Sequence, residues 1–418
     1  MLDRSRPPRQ YAVLKVDFQH VITEKLDPGI TFHFLESGDQ PVVKLEALFP
    51  KGGAWFEQKR GVALLCLTML REGTRSYSSK QISGTLAAHG AFLDINPGLD
   101  YTSIALYCLD RHLEKLLPLF VEMIDSPSFE EGELNLQKDQ QVAQLQVRNK
   151  KNNIVASKRL RSILFGDTHP YGRILDENDI RAISADDLQA FHRENMKGDL
   201  QLFLSGAPSA QSIAALKSSF NSWTLEHRMI QKRDLPPIAT QNNGNHESVQ
   251  ASIRIGKVTL EKTHTDYVPL LITNHLLGGY FGSRLMKNIR EDKGLTYGIS
   301  SSVIPLKNGS YWALGAEVNV NLLDQALNET KKEVRSLAEF NDINELETAK
   351  TQLMGSFQSE INSPFQLLEK FKNVHLHGMD YDYYNRYFSA LQQFNCENVR
   401  EISQKYLSTE DWTEVVVY

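Results

Sequence analysis

The chain reads as one αβ pattern written twice. Asp100–Asp125, DYTSIALYCLDRHLEKLLPLFVEMID, alternates with period two, crosses a polar turn, then takes up helical spacing. Gly309–Val334, GSYWALGAEVNVNLLDQALNETKKEV, follows the same plan. A capped amphipathic helix followed by a strand, Ile183–Gly206, recurs at Phe394–Tyr418, with Asp186 and Asp187, or Cys396 and Glu397, opening the helical turn. Both pairs of segments stand roughly 210 residues apart, which points to a tandem duplication. A duplicated chain of 418 residues must close two similar cores. Between the copies lies RDLPPIATQNNGNHES, rich in Pro, Asn and Gly and without periodicity. The expected division is an N-terminal αβ domain at 1–232, a linker at 233–248 and a C-terminal αβ domain at 249–418. Strands separated by helices, some of them paired as hairpins, predict an α+β class. Each of the two tandem αβ domains should hold a mainly antiparallel sheet packed with helices.

Composition narrows the function classes. A chain with 41% hydrophobic and 23% charged residues is an ordinary globular protein. A formal charge of -5 argues against nucleic acid as a partner, because phosphate binding needs a basic face. No apolar run reaches the length of a membrane span, so no membrane partner is expected. The first residues, MLDRSRPPRQYAVLKVDF, have basic side chains but no apolar stretch after them, unlike a secretory signal. Cys66, Cys108 and Cys396 are too few and too scattered for a disulfide framework. They fit a reducing, cytoplasmic setting, with Cys66 and Cys108 as buried small hydrophobes.

Chemistry enters at GGYFGSRLMKNIREDKGLTYG, Gly278–Gly298. Arg290 and Tyr297 stand seven residues apart, across a helix end and a strand start. A guanidinium fork can hold a carbonyl or carboxylate. A phenol hydroxyl can donate to a developing oxyanion. Such a pair suits a peptidase, yet this chain shows no nucleophile and no metal ligands to go with it. The plain alternative is a cation favoured at a helix C-terminus and an ordinary strand aromatic.

Together with the helix predicted over Glu57–Thr74, the long helix ending near Gln146 and His169-Pro170-Tyr171-Gly172-Arg173, this segment resembles the pitrilysin/insulinase family of zinc peptidases. The resemblance runs from about Lys25 to Tyr418. Active members carry H-x-x-E-H on the first of these helices, two imidazoles and a general base on one face. Here Gly61-Val62-Ala63 and Met69…Gly73-Thr74 match the flanks, but the motif positions hold Leu64, Leu67 and Thr68. The position of the further Glu ligand holds Gln144, a neutral and poor zinc ligand. The resemblance implies that Tyr297 hydrogen-bonds the scissile carbonyl and that Arg290 holds substrate backbone. It also implies a two-chain clam shell in which a homologous partner subunit supplies the zinc and this chain binds no cofactor. The substrate would be a peptide enclosed in the chamber. Ser283-Arg284-Leu285 matches the family's lead-in and reads as packing, and His169–Arg173 as a turn after a helix ending at Phe165.

Two histidine motifs compete for attention. His33-Phe34-Leu35-Glu36 spells H-x-x-E but lies in ITFHFLE, which reads as a strand, where positions three apart face opposite ways. His375-Leu376-His377 would set two imidazoles on one face if extended, with no third ligand in view. Two functional readings follow. One is a non-catalytic, substrate-binding and transition-state-stabilising subunit of a heterodimeric zinc metallopeptidase. The other is a metal-free scaffold or assembly protein in which Arg290 and Tyr297 are relics.

Overall fold

The computed structural model describes residues 19–27, 29–38, 40–221, 223 and 250–418. The expected linker, 233–248, lies outside the described residues, as does the whole N-terminal stretch read as lacking a signal. The first half runs β1 (Ile22–Leu26), β2 (Ile30–Glu36), β3 (Val42–Phe49), α1 (Val62–Met69), α2 (Ser79–Ala88), β4 (Phe92–Pro97), β5 (Thr102–Leu109) and α3 (Asp110–Asp125). It continues through α4 (Glu131–Asn149), α5 (Asn152–Phe165), α6 (Glu177–Arg181), α7 (Ala185–Phe191), β6 (Gln201–Gly206) and α8 (Ala210–Ser219). The second half runs β7 (Gln250–Thr259), α9 (Tyr267–Asn274), a wide-turned helical segment Met286–Asp292, β8 (Thr296–Ile304) and β9 (Ser310–Asn319). It closes with α10 (Leu323–Ser336), α11 (Ile343–Ser359), α12 (Pro364–His375), α13 (Asp382–Gln393), α14 (Cys396–Tyr406) and β10 (Thr413–Val417).

Sheet order shows the duplication directly. The first sheet is ordered β1-β2-β6-β3-β5-β4 and the second β10-β7-β9-β8. The four-strand run β6-β3-β5-β4 is repeated, element for element, by the whole second sheet. All neighbours pair antiparallel except β2 with β6, so the first sheet is mixed and the second antiparallel. The fold is α+β with two tandem αβ domains. Among the described residues no helix is long and apolar enough to cross a membrane.

Local signals set the matching helices. Ser184 accepts from the Asp187 N–H, and the Asp187 carboxylate accepts from the Ser184 N–H in return, which starts α7. Asn395 and Asn398 close the same reciprocal pair at α14. The α3 stripe of Leu113, Leu116, Leu117, Phe120 and Ile124 is buried against the first sheet, in the core that also holds Cys66 and Cys108. The second core gathers around Trp312, Leu314, Tyr267 and Val399. A fully buried side chain of this kind contributes about 1.5–3 kcal/mol.

The other face of each sheet is covered by a helix from the opposite half. Ala156, Leu160 and Leu164 of α5 pack with Val415 and Val417 of β10. Leu367 and Leu368 of α12 pack with Leu35 of β2, Leu48 of β3 and Phe203 of β6. Polar contacts reinforce both exchanges. Arg254 Nε of β7 donates to Ser157 Oγ of α5 at 3.0 Å. Lys372 of α12 lies 2.8 Å from both carboxylate oxygens of Glu46 on β3, and Lys44 joins at 3.1 Å from Glu46 and 2.6 Å from Glu369.

Candidate functional site

Helix α1 is shorter than the span Glu57–Thr74 predicted for it. The Glu57 carboxylate folds back to accept from the N–H groups of Gly61 and Ala63, both at 3.1 Å, so the helix begins only at Val62. Gly61 holds the preceding turn at φ 85°, in the left-handed region. On α1, Leu67 is fully buried and Leu64 half-buried, while the Thr68 hydroxyl donates to the Leu64 carbonyl at 2.8 Å. The face that would carry a metal is therefore core packing plus a hydroxyl turned back on its own helix. Gln144 is exposed on α4. The glutamine of α4 that reaches the region after α1 is Gln137, buried, with Nε2 donating to Glu72 at 3.1 Å. Sequence reasoning passed over it. Among the described residues no group of three or more His, Cys, Asp or Glu side chains could hold a metal ion.

The segment before β8 carries Arg290 and leads into Tyr297 at the start of that strand. Gly278 passes so close to β8 that a Cβ would meet Ser301 Oγ at 2.5 Å and the Ser301 nitrogen at 2.8 Å. The helical segment Met286–Asp292 then ends on Gly294 at φ 61°, whose N–H donates to the Arg290 carbonyl at 3.2 Å. The chain enters β8 through a bulge. Thr296 pairs with Val318 and Ile299 with Ala316, so Tyr297 and Gly298 together oppose Glu317 alone. Bulges of this kind re-aim side chains. Tyr297 is 94% exposed.

Two arginines in this segment differ in what holds them. Arg284 is committed to the fold, donating to Glu333 at 3.1 Å, Glu345 at 2.8 Å and Ser336 at 3.2 Å. Arg290 has no carboxylate partner among the described residues. Its guanidinium lies 4.4 Å from the ring centroid of Phe281, itself 63% exposed. A cation on an exposed ring is worth about 0.5–1 kcal/mol and leaves the N–H fork open.

His169–Arg173 does follow a helix ending at Phe165, as the turn reading required. The turn also ties the two halves together. Tyr171, fully buried, donates its hydroxyl to Asp100, and the hydroxyl accepts from the Asn308 N–H at 3.1 Å. The Lys307 N–H donates to the other Asp100 oxygen at 2.9 Å. This fastens the tip of the β8–β9 hairpin, whose opposite end carries Tyr297.

Both histidine decoys are structural. His33 lies within strand β2 and is fully buried, its ring 4.6 Å from Phe203 and 4.4 Å from His375, with Nδ1 2.9 Å from Thr23 Oγ1. Burial first, then His375 and Lys25, lowers its pKa to about 3. His375 closes α12 and the chain turns at His377, so the His375–His377 segment is not extended and its two imidazoles do not share a strand face.

Comparison with known proteins decides the family. The profile of the insulinase family, peptidase family M16, matches residues 43–176, and that of the peptidase M16 inactive domain matches 182–353. This chain belongs to the M16 peptidase family. A crystal structure described as a peptidase M16 inactive domain, from Pseudomonas fluorescens, superposes with a TM-score of 0.86 at 24% identity, covering 96% of this chain and 98% of that one. An uncharacterized zinc protease, YmxG of Bacillus subtilis, is 23% identical over 85% of this chain and 88% of its own length. A non-peptidase homolog, YmxG of Helicobacter pylori, is 22% identical over 90% of this chain and 89% of its own. The M16 relatives thus carry names of both kinds, and the side chains of this chain must decide between them. Among the described residues no cluster of His, Cys, Asp or Glu could hold a metal ion, and Leu64, Leu67, Thr68 and Gln144, where the sequence reading expected the zinc motif, carry no imidazole or carboxylate.

Proposed function

We propose that this chain is the non-catalytic subunit of a two-chain M16 zinc peptidase. In this reading Tyr297 donates to the scissile carbonyl as the tetrahedral intermediate forms, and Arg290 holds the peptide backbone. A homologous partner supplies zinc and its base, and the two chains close around the peptide. Residues 1–232 and 249–418 act as the two domains, joined through 233–248.

The observation that carries the reading is the freedom of this pair. Tyr297 is 94% exposed, and among the described residues Arg290 stacks on Phe281 alone while Arg284 nearby is triply held. Neither Arg290 nor Tyr297 serves the core of its own domain, so both are available to a ligand. The competing scaffold reading draws on the α1 face, where Leu67 is fully buried and nothing resembles a site.

Reconstitution with the zinc-carrying partner tests the assignment. Tyr297→Phe should lower peptide turnover by about 10²–10³ while assembly is unchanged, the usual cost of losing an oxyanion donor. Equal turnover would remove Tyr297 from the mechanism. The chain alone, given zinc, should hydrolyse no peptide above buffer.

A further inference from the structure

A buried tyrosine ordinarily finds a partner for its hydroxyl. In the helical layer of the second half Tyr381 and Tyr384 do so, donating to the carbonyls of Leu367 at 3.3 Å and Lys370 at 2.9 Å. Three others differ. Tyr267 of α9 and Tyr383 and Tyr387 of α13 are 2%, 7% and 8% exposed, and among the described residues none of their hydroxyls has a hydrogen-bond partner. All three line one cavity of about 250 Å³. Burial raises the pKa of each phenol, so each keeps its proton at neutral pH and can donate it. Three buried donors left unmade around one cavity call for an acceptor inside it.

The rest of the wall defines what that acceptor belongs to. Leu271 of α9, Val303 of β8, and Leu353 and Phe357 of α11 give the cavity an apolar side. Its charged residues are Lys262, Glu360 and Lys370. Lys370 pairs with Glu360 and lies 4.9 Å from the centroid of Phe357. Lys262 is committed to the end of α12, donating to the Asn373 carbonyl at 3.1 Å and to the Asn373 side-chain oxygen, with its ammonium 5.5 Å from the centroid of Tyr383. Two cations against one carboxylate disfavour a cationic ligand and favour an anionic one.

We propose that this tyrosine-lined cavity binds a small carboxylic acid with an apolar body, its carboxylate accepting from the tyrosine hydroxyls and its chain lying against Leu271, Leu353 and Phe357. The bound acid touches α9, α11 and α13 at once and stabilises their packing by mass action. Neither Arg290 nor Tyr297 lines the cavity, so the proposal does not rest on the peptidase reading.

Calorimetric titration of the full chain tests this with hexanoate as probe. Acetate, which lacks the apolar body, and hexanamide, which lacks the charge, are the controls. Hexanoate should bind saturably and at least tenfold more tightly than either. The double variant Tyr267→Phe, Tyr383→Phe keeps both rings and removes hydroxyls that bond nothing in the protein. It should therefore keep the parent's melting midpoint and bind hexanoate at least tenfold more weakly, as for lost hydrogen bonds to a charged group. If the double variant does not fold, each single Tyr→Phe variant should still weaken binding severalfold. N-acetyl-leucine separates two sources of the same chemistry: tighter binding of hexanoate names a free acid, and tighter binding of N-acetyl-leucine a peptide C-terminus. The proposal is overturned if neither carboxylate binds saturably, if acetate or hexanamide binds as well as hexanoate, or if the tyrosine variants bind as the parent does.

Discussion

Lys372 on α12 donates to both carboxylate oxygens of Glu46 on β3, each at 2.8 Å, and so joins a helix of the second half to the sheet of the first. The side chains are 7% and 4% exposed, which removes most solvent screening. Removing Lys372 leaves the buried Glu46 carboxylate with Lys44 as its one cationic partner among the described residues, at 3.1 Å. Lys372→Met should therefore cost about 3–5 kcal/mol. Adding Glu46→Gln to Lys372→Met should recover part of that loss. Urea denaturation of the two single variants and the double variant checks both statements, and additive losses would deny the pairing.

The same carboxylate gives the fold an acid limit. Burial opposes ionisation of Glu46, but Lys372 and Lys44 outweigh it and hold its pKa near 2, below the ordinary 4.5. Its contribution is present above pH 4.5 and is lost as pH falls from there toward 2. Buried His33 and His192 act in the same direction at higher pH. Their pKa values are lowered from 6.5 to about 3 and about 4, chiefly by burial. Below pH 6.5 the unfolded chain takes up these protons and the folded chain does not, so stability falls. Unfolding free energy should thus drop between pH 7 and pH 4, with a shallower slope in His33→Phe. A flat profile would contradict the burial of these imidazoles.

Tyr171 fastens the β8–β9 hairpin from the opposite domain. Tyr171→Phe keeps the packed ring but leaves Asp100 and the Asn308 N–H without the hydroxyl. The expected loss is about 1–3 kcal/mol, the cost of unmade buried hydrogen bonds. Hydrogen exchange should rise at Lys307 and Asn308. Unchanged exchange there would show that the hairpin tip is held by other contacts.

The α1 face should not tolerate the family's general base. Leu67 is fully buried in the first hydrophobic core, and Leu67→Glu would place a carboxylate there. A loss of at least about 2 kcal/mol is expected. A neutral effect would mean that this face opens to water. By contrast, Tyr297→Phe should change stability by less than about 0.5 kcal/mol, as for an exposed side chain outside any network.

Much of the architecture was legible because local signals and tertiary demand agree. ITFHFLE is strand β2 residue for residue, and the duplicated strand-to-helix switch reappears as β5–α3 and β9–α10. The helix ending at Phe165 was read from its local pattern and ends there. The exchange of α5 and α12 was not legible, because Glu46 and Lys372 are far apart in sequence and neither carries a local signature of its partner. Glu57 read as helical and instead folds back as a cap, which no periodicity encodes. Arg290 and Tyr297 were found by spacing. What distinguishes them from Arg284 is the partners each has, and those exist only after folding. The bulge that turns Tyr297 outward depends on β9 lying alongside.

The most direct test of the split-peptidase account is purification of this chain from its native cell, followed by metal analysis of what accompanies it. The account predicts a homologous second chain in equal amount, carrying H-x-x-E-H and about one zinc per pair. A metal-free assembly of this chain alone would contradict it and leave Arg290 and Tyr297 as surface residues of a scaffold.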